Sequence, residues 1–178
     1  GTSSPATAYK NALQVHGADG GGNIRITNDT TGTGTGNGFE AVVVGIDAYL
    51  IQREAAPLIF YTNNSEAMRI DSSQRVLIGG QTDTLTVGGI AALLQVENTS
   101  GSAAISIARH TASVSSGFLN FGKSRGADAT IIQQDDYTGF IQWAGADGTD
   151  INSYTAYISS AVDGTPGSND MPGRLAFW

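Results

Sequence analysis

Two groups of acidic residues are the strongest candidates for chemistry in this chain. Asp135 and Asp136 are adjacent, and residues 147–152 include Asp147 and Asp150. Paired carboxylates serve glycoside hydrolases as acid, base or nucleophile, and their separation sets the stereochemical outcome. The second group faintly resembles a calcium loop but lacks the bidentate Glu of an EF-hand. Asp is also a common turn residue, so a turn is the competing interpretation of both groups.

Histidine and glycine patterns offer weaker candidate sites. His16 and His110 lack metal-site spacing, although three copies of one His on a trimer axis could hold a metal ion. Residues 32–38 read G-x-G-x-G-x-G before an apolar run, unlike the G-x-G-x-x-G that precedes a helix in dinucleotide sites. The chain has no Cys, which excludes thiolate chemistry. We therefore expect no cofactor, no metal site and no enzymatic activity.

Aromatic residues are concentrated in the second half of the chain. A glycan-binding platform would expose such side chains, whereas packing in a core or an interface is their more usual role. The residues concerned are Phe118, Phe121, Tyr137, Phe140, Trp143, Tyr154, Tyr157, Phe177 and Trp178.

The overall composition excludes several classes of protein. Charged residues make up 14% of the 178, against about 25% in an ordinary soluble domain. The net charge of −7 argues against binding to nucleic acid, which requires clustered Lys and Arg. No apolar run approaches the roughly 20 residues of a membrane helix, so no membrane insertion is expected. Asp outnumbers Glu by 12 to 4, and Asp favours turns over helix interiors.

Hydrophobic periodicity predicts an all-β fold. Residues 23–28 and 104–109 alternate between apolar and small or polar side chains, which is typical of half-buried strands. Residues 41–46, 58–61 and 76–78 are apolar almost throughout, which favours strands covered on both faces. Turn-forming clusters separate these runs. Shorter runs around Phe118 and Phe140 are also predicted to be strands.

An internal repeat suggests a tandem array. Leu-Gln-Val at residues 13–15 recurs at 94–96, and Ile24 and Ile26 recur as Ile105 and Ile107 at the same offset. We predict a linker at residues 1–12, a first β-repeat at 13–80, a connecting segment at 81–93 and a longer second repeat at 94–178. The second repeat is interpreted as truncated at its C-terminal end, within a strand equivalent to residues 58–61. Such units bury their apolar faces against a neighbour or a symmetry mate.

Two segments resemble bacteriophage tail fibres and related virion fibres. Residues 66–79 resemble the family's E-x-M-R-I-D-S-x-G-x-V-x-I-G segment, with Gln74 at a position where the family usually has Gly. Residues 162–177 resemble its V-D-G-T-P-G-x-N-D-M-P-G-R-L-x-F segment. The matching positions are Met68, Arg69, Ile70, Asp71, Asp163, Gly164, Pro166, Asn169, Asp170, Pro172, Gly173 and Arg174.

The resemblance implies an elongated, intertwined homotrimeric β-fibre on the outside of a virion, built from tandem irregular β-repeats. Its expected role is structural: it positions a distal receptor-binding tip for attachment to the host cell. Expected partners are two further copies of the chain, adjoining fibre segments and other virion proteins, with a host surface glycan or protein as a further candidate. The alternatives are a tailspike-type glycan-degrading enzyme and a bacterial trimeric surface adhesin.

The repeat also predicts which side chains carry the assembly. Alternation places the apolar members of each strand on one face, where they would be buried against a neighbouring strand or the trimer axis. These expected packing residues are Leu13, Val15, Ile24, Ile26, Leu94, Val96, Ile105 and Ile107.

Overall fold

The computed structural model describes residues 13, 15–17, 20–80, 85–127 and 129–178. The predicted linker, residues 1–12, lies outside this part of the chain, as do residue 14 of the first Leu-Gln-Val and residues 81–84 of the predicted connecting segment. The described residues form strands, turns and coil without any helix, which confirms the all-β prediction. The strands are β1 (Gly21–Ile26), β2 (Phe39–Val44), β3 (Asp47–Gln52), β4 (Leu58–Thr62), β5 (Ser65–Ile70), β6 (Val76–Ile78), β7 (Leu94–Val96), β8 (Tyr137–Gly145), β9 (Ser153–Val162) and β10 (Gly173–Phe177).

The chain divides into two compact units, residues 1–80 and 81–178. In the first unit, β1, β2 and β3 form an antiparallel sheet with β2 in the centre. Gly45 has a φ of 60° at the first position of the two-residue turn between β2 and β3. This turn geometry matches the right-handed twist of the strands and favours Gly at that position.

A carboxylate is buried in the centre of this sheet. Glu40 on β2 is 2% exposed and lies directly opposite Arg25 of β1, with which it forms an ion pair. Arg53, which follows β3, donates from Nη2 to the other carboxylate oxygen at 2.6 Å. Hydrogen bonds from Arg53 and Arg25 lower the pKa of Glu40 below its usual value. The ion pairs compensate the buried charge, which would otherwise be strongly unfavourable.

The remaining strands of the first unit are joined by tight hairpins. β4 and β5 are antiparallel and are connected by Asn63 and Asn64, both with positive φ. Two successive residues with positive φ define the type I′ turn that two-residue hairpins prefer, and Asn tolerates this conformation. β5 then pairs with β6, whose Leu77 is 2% exposed.

The second unit contains a sheet in the order β10-β9-β8, with both pairs antiparallel. The end of β9 is its best-buried part, since Ala161 and Val162 are 3% and 1% exposed. A segment before β8 packs there, and Asp135 and Asp136 exchange backbone hydrogen bonds with Val162. Among the described residues there is no helix with the length and hydropathy needed to cross a membrane.

Two predicted strands are absent from the structure of the single chain. Residues 104–109 and 118–121 are coil, although their side-chain pattern is that of strands. A strand requires a neighbour that accepts and donates its backbone hydrogen bonds, and none of the described residues provides one for these two runs. Alternation in the sequence shows which side chains share a face of a segment, but it does not identify the strand with which that segment pairs.

Candidate functional site

The two acidic residues at 135 and 136 have different partners. Arg125 binds Asp136 through both carboxylate oxygens, at 2.7 and 2.9 Å. Arg174 instead binds Asp135 at 3.1 Å and Asp163 at 3.0 Å. Hydrogen bonds from Arg125 and from the backbone N–H of Gln133 lower the pKa of Asp136 to about 2. The two carboxylates therefore anchor separate arginines and do not converge on a common point.

The second acidic group forms a chain of turns. Asp147 Oδ1 accepts hydrogen bonds from the N–H groups of Thr149 and Asp150, and its Oδ2 accepts one from Ser153 Oγ. The backbone N–H of Thr149 is the main cause that lowers the pKa of Asp147. Asp150 and Asn152 likewise accept backbone hydrogen bonds, from Asn152 and Gly89. The bonds to Asp147 and Asp150 are the local side-chain bonds that Asp makes in turns, whereas Asn152 binds Gly89, 63 residues away in the sequence.

The histidines are not brought together with other metal ligands. His16 and His110 are both exposed. Within the part of the chain that the structure describes, no three His, Asp or Glu side chains form a group suited to a metal ion. An axial site made by three copies of one His stays a prediction about the assembly.

The first motif segment builds the hairpin between β5 and β6. Asp71 Oδ1 accepts hydrogen bonds from the N–H groups of Ser73 and Arg75, both at 2.9 Å, and Oδ2 binds Arg75 Nε at 2.7 Å. The backbone N–H of Arg75 is the main cause that lowers the pKa of Asp71. Gln74 has a φ of 64°, in the left-handed region where Gly is favoured. Asp71 therefore closes a turn.

The strand that leads into this turn carries a further ion pair. Arg69 on β5 binds the Glu66 carboxylate through Nε at 2.6 Å and Nη2 at 2.5 Å. The neighbouring motif residues alternate with it along β5: Met68 is half-buried, and Ile70 is 36% exposed. The motif thus supplies a strand and its turn.

The second motif segment builds the connection between β9 and β10. Asp163 N donates to Pro172 O at 3.1 Å, and Gly167 and Asp170 exchange backbone hydrogen bonds around a tight reversal. Asn169 lies within that reversal with a φ of 56°. Gly164 packs closely against the end of the connection, since a Cβ built there would lie 3.2 Å from Pro172 Cγ. The other motif positions are Pro166, just before the reversal, and Gly173, the first residue of β10.

Arginine 174 ties this connection to the segment before β8. Its two ion pairs join Asp163, at the start of the connection, to Asp135, which is 39 residues away from Arg174 in the sequence. All three side chains are substantially exposed, so each pair contributes little to stability. Their role is to orient the loop.

A large amount of apolar surface lies outside these turns. The described residues include only four buried apolar side chains, Leu77, Ile132, Ala161 and Val162. By contrast, the expected packing residues are open in the single chain: Leu13 is 83% exposed, Ile26 61% and Ile105 70%. Leu94, Val15, Ile24 and Ile107 are also exposed, and Val96 is half-buried. Their burial against another subunit stays a prediction.

Aromatic side chains form a row across the second sheet. The ring centroids of Tyr137 and Phe140 are 4.7 Å apart, those of Phe140 and Tyr157 are 6.0 Å apart, and Tyr157 stacks on Trp178 at 5.6 Å. Trp178 also donates from Nε1 to Ser159 Oγ at 3.3 Å. Tyr137 and Trp178 remain 47% and 66% exposed, so the row continues into solvent.

Residues 102–124 form the most open part of the second unit, and we call them the open segment. No backbone–backbone hydrogen bond links them to one another or to any other described residue. Their large apolar side chains are exposed: Ile105, Ile107, Phe118, Leu119 and Phe121 range from 54% to 70%. Alternation in the sequence indicates which face of this segment is apolar. It does not show that the backbone N–H and C=O groups of the segment have no backbone partners among the described residues.

The chain was compared with known protein families and with curated proteins. A scan against protein-family models and a search of curated protein sequences both returned no match to the chain.

Proposed function

We propose that this chain is a structural segment of a bacteriophage tail fibre or another virion fibre, exposed to the extracellular medium. In this role three copies assemble in parallel, and the fibre positions a distal receptor-binding tip for attachment to the host cell. Its partners are the other two copies, the adjoining fibre segments and other virion proteins.

The observation that carries the proposal is the combination of exposed apolar side chains with an open backbone. An isolated protein rarely exposes so many large apolar residues unless a partner covers them. Buried polar backbone groups are almost always paired, and covering the open segment would require partners for its N–H and C=O groups. Association with other copies supplies both kinds of partner at once.

The geometry of the motif segments also supports a structural role. Both segments build hairpin connections, and the pairs Asp71–Arg75 and Asp163–Arg174 lie at the turns of these connections. Such positions recur in fibres because each repeat must turn its chain in the same way.

The carboxylates do not favour the glycan-degrading alternative. A general acid in a glycosidase needs a raised pKa, whereas every carboxyl for which a shift is resolved among the described residues has a lowered one. We expect the purified chain to release no reducing ends from capsule or lipopolysaccharide. Depolymerisation that is lost in Asp135→Asn or Asp136→Asn would overturn this expectation.

Sedimentation equilibrium is the direct test of assembly. At micromolar concentration we expect a single species of about 55 kDa, three times the 18.3 kDa of one chain. A stable monomer would contradict the proposal.

Immunoelectron microscopy with an antibody against the chain tests its location. We expect the label to lie along an appendage of the viral particle. Label on a bacterial cell surface in the absence of virus would favour the adhesin alternative.

A further inference from the structure

Two arms of the open segment approach each other without pairing. The first arm is residues 103–109 and the second is residues 117–123, joined by bends at 112–114. They approach closely where a Cβ built on Gly117 would lie 2.8 Å from Ile107 Cγ2 and 3.4 Å from the Ile107 carbonyl oxygen. Despite this proximity, no backbone hydrogen bond joins the arms.

The arms have the sequence of strands that become covered. Residues 102–124 contain Arg109 and Lys123 but no Asp or Glu. Proteins usually protect exposed strand edges with charges or Pro, and neither arm has Pro or more than one charged residue. The large side chains Ile105, Ile107, Phe118 and Phe121 are more than half exposed. A segment with this composition would aggregate if it stayed uncovered.

We propose that the first arm of each copy pairs through its backbone with the second arm of a neighbouring copy, so that the open segment becomes β-structure only on assembly. This inference rests on the proposed trimeric function and names the strands that join the copies. Each chain carries both halves of the pair, and the two arms have equal length. A head-to-tail contact of this kind closes into a ring when three copies take part, and it covers one backbone edge of each arm. The absence of acids from both arms means that no carboxylate is buried by the pairing.

Amide hydrogen exchange on the assembled chain tests the pairing. In a sample whose mass is determined in parallel, we expect alternate amides of both arms to exchange at least 100-fold more slowly than those of the exposed residues 33–36. Protection should appear in the first and second arms together, because each is the partner of the other.

The possible outcomes separate this inference from the proposed function. A trimer whose arms exchange freely, or in which only one arm is protected, overturns the arm pairing and leaves the fibre proposal intact. Protection that appears only after a different virion protein is added also overturns it. A monomer overturns both proposals, whatever its exchange pattern.

Proline substitution provides an independent test with a matched control. Successive N–H groups of a strand point to opposite sides, so Ser106→Pro with Ile107→Pro removes at least one donor on the paired side. The control, Ser106→Ala with Ile107→Ala, loses the same side chains but keeps both N–H groups. We expect the proline variant to have a trimer dissociation constant at least 100-fold above that of the alanine control. Equal values for the two variants would contradict the pairing.

Discussion

Gln74 occupies a backbone conformation in which glycine is more stable. Gln74 lies in the turn that Asp71 closes and has a φ of 64°. Its backbone N–H donates to Asp71 O at 2.9 Å. A side chain with a Cβ costs about 1–2 kcal/mol in the left-handed region, part of which is offset by the greater entropy that Gly has in the unfolded chain. We therefore expect Gln74→Gly to raise the free energy of unfolding by about 0.5–1 kcal/mol.

Chemical unfolding of Gln74→Gly and Gln74→Ala measures this effect. The Ala variant loses the same side chain beyond Cβ but keeps the strained conformation, so its stability should remain close to that of Gln74. If the two variants are equally stable, the strain at this position does not matter.

Asp136 makes the stability of the second unit depend on pH in the acid range. Arg125 and the N–H of Gln133 lower the pKa of its carboxyl from 3.8 to about 2. The folded chain therefore binds the proton more weakly than the unfolded chain. The stabilisation is fully present above about pH 3.8, and it is lost as the pH falls through about 2.

Melting temperatures at several pH values test this dependence. We expect Asp136→Asn to melt below the wild type above pH 4, with a difference that shrinks as the pH approaches 2. Asp170→Asn is the control, because it removes one carboxylate that accepts no hydrogen bond from the described residues. A difference between Asp136→Asn and wild type that is the same at every pH would contradict the prediction.

A short loop is held against the ninth strand by one tyrosine. Tyr154 on β9 donates from its hydroxyl to Gly88 O, and Gly88 N donates to Ile151 O at 2.9 Å. A Cβ built on Gly88 would lie 2.6 Å from Tyr154 Cε1, whereas one on Gly89 would meet nothing within 4 Å. Both glycines have positive φ, so substitution by Ala strains the backbone at both positions.

The difference in stability between Gly88→Ala and Gly89→Ala measures what close contact with Tyr154 costs. We expect Gly88→Ala to be less stable than Gly89→Ala by about 1–3 kcal/mol, the usual cost of overpacking. Thermal unfolding of the two variants gives the comparison. Equal losses would show that the loop does not rely on close contact with Tyr154.

The strands that the sequence predicts well are those with strong apolar patterns. Residues 76–78 form β6 as expected, and the runs at 23–28 and 41–46 overlap β1 and β2. β9 was not predicted because its small and hydroxylated residues show no clear period. The strand predicted at 104–109 is coil because pairing depends on a partner that the sequence pattern does not name.

In the candidate site, too, sequence patterns predict local contacts but not contacts between residues far apart in the chain. The turn interpretation of Asp147 follows from local sequence, because its partners lie within six residues. The ion pair between Arg174 and Asp135 spans 39 residues, and no local sequence pattern predicts it. The family segment that residues 66–79 resemble usually has Gly at the position of Gln74, and the structure keeps a positive φ there although the residue is Gln.

At the scale of the whole molecule, the stability of the fold should depend on protein concentration. Ile105 is 70% exposed in the single chain, so truncating it removes few contacts within the chain. If another copy buries it, Ile105→Ala should destabilise the assembly by about 2–5 kcal/mol per site. Ser106→Ala is the matched neighbour on the opposite face and should change stability by no more than about 0.5 kcal/mol.

Thermal melting over a range of concentrations, with trimer content followed by sedimentation, distinguishes these variants. We expect Ile105→Ala to require a higher concentration than Ser106→Ala for the same trimer content. Equal stability of the two variants would mean that the predicted strand register is wrong.

The buried Glu40 has a consequence for how the first sheet avoids misfolding. β2 contains Val42, Val43 and Val44 in succession, and a run of identical residues can slide along its neighbours with little change in packing. A slip of one residue would turn Glu40 to the other face of the sheet, away from both Arg25 and Arg53, and leave its charge without a partner. We therefore expect the carboxylate to fix the register of the sheet, because it destabilises shifted pairings more than it stabilises the correct one.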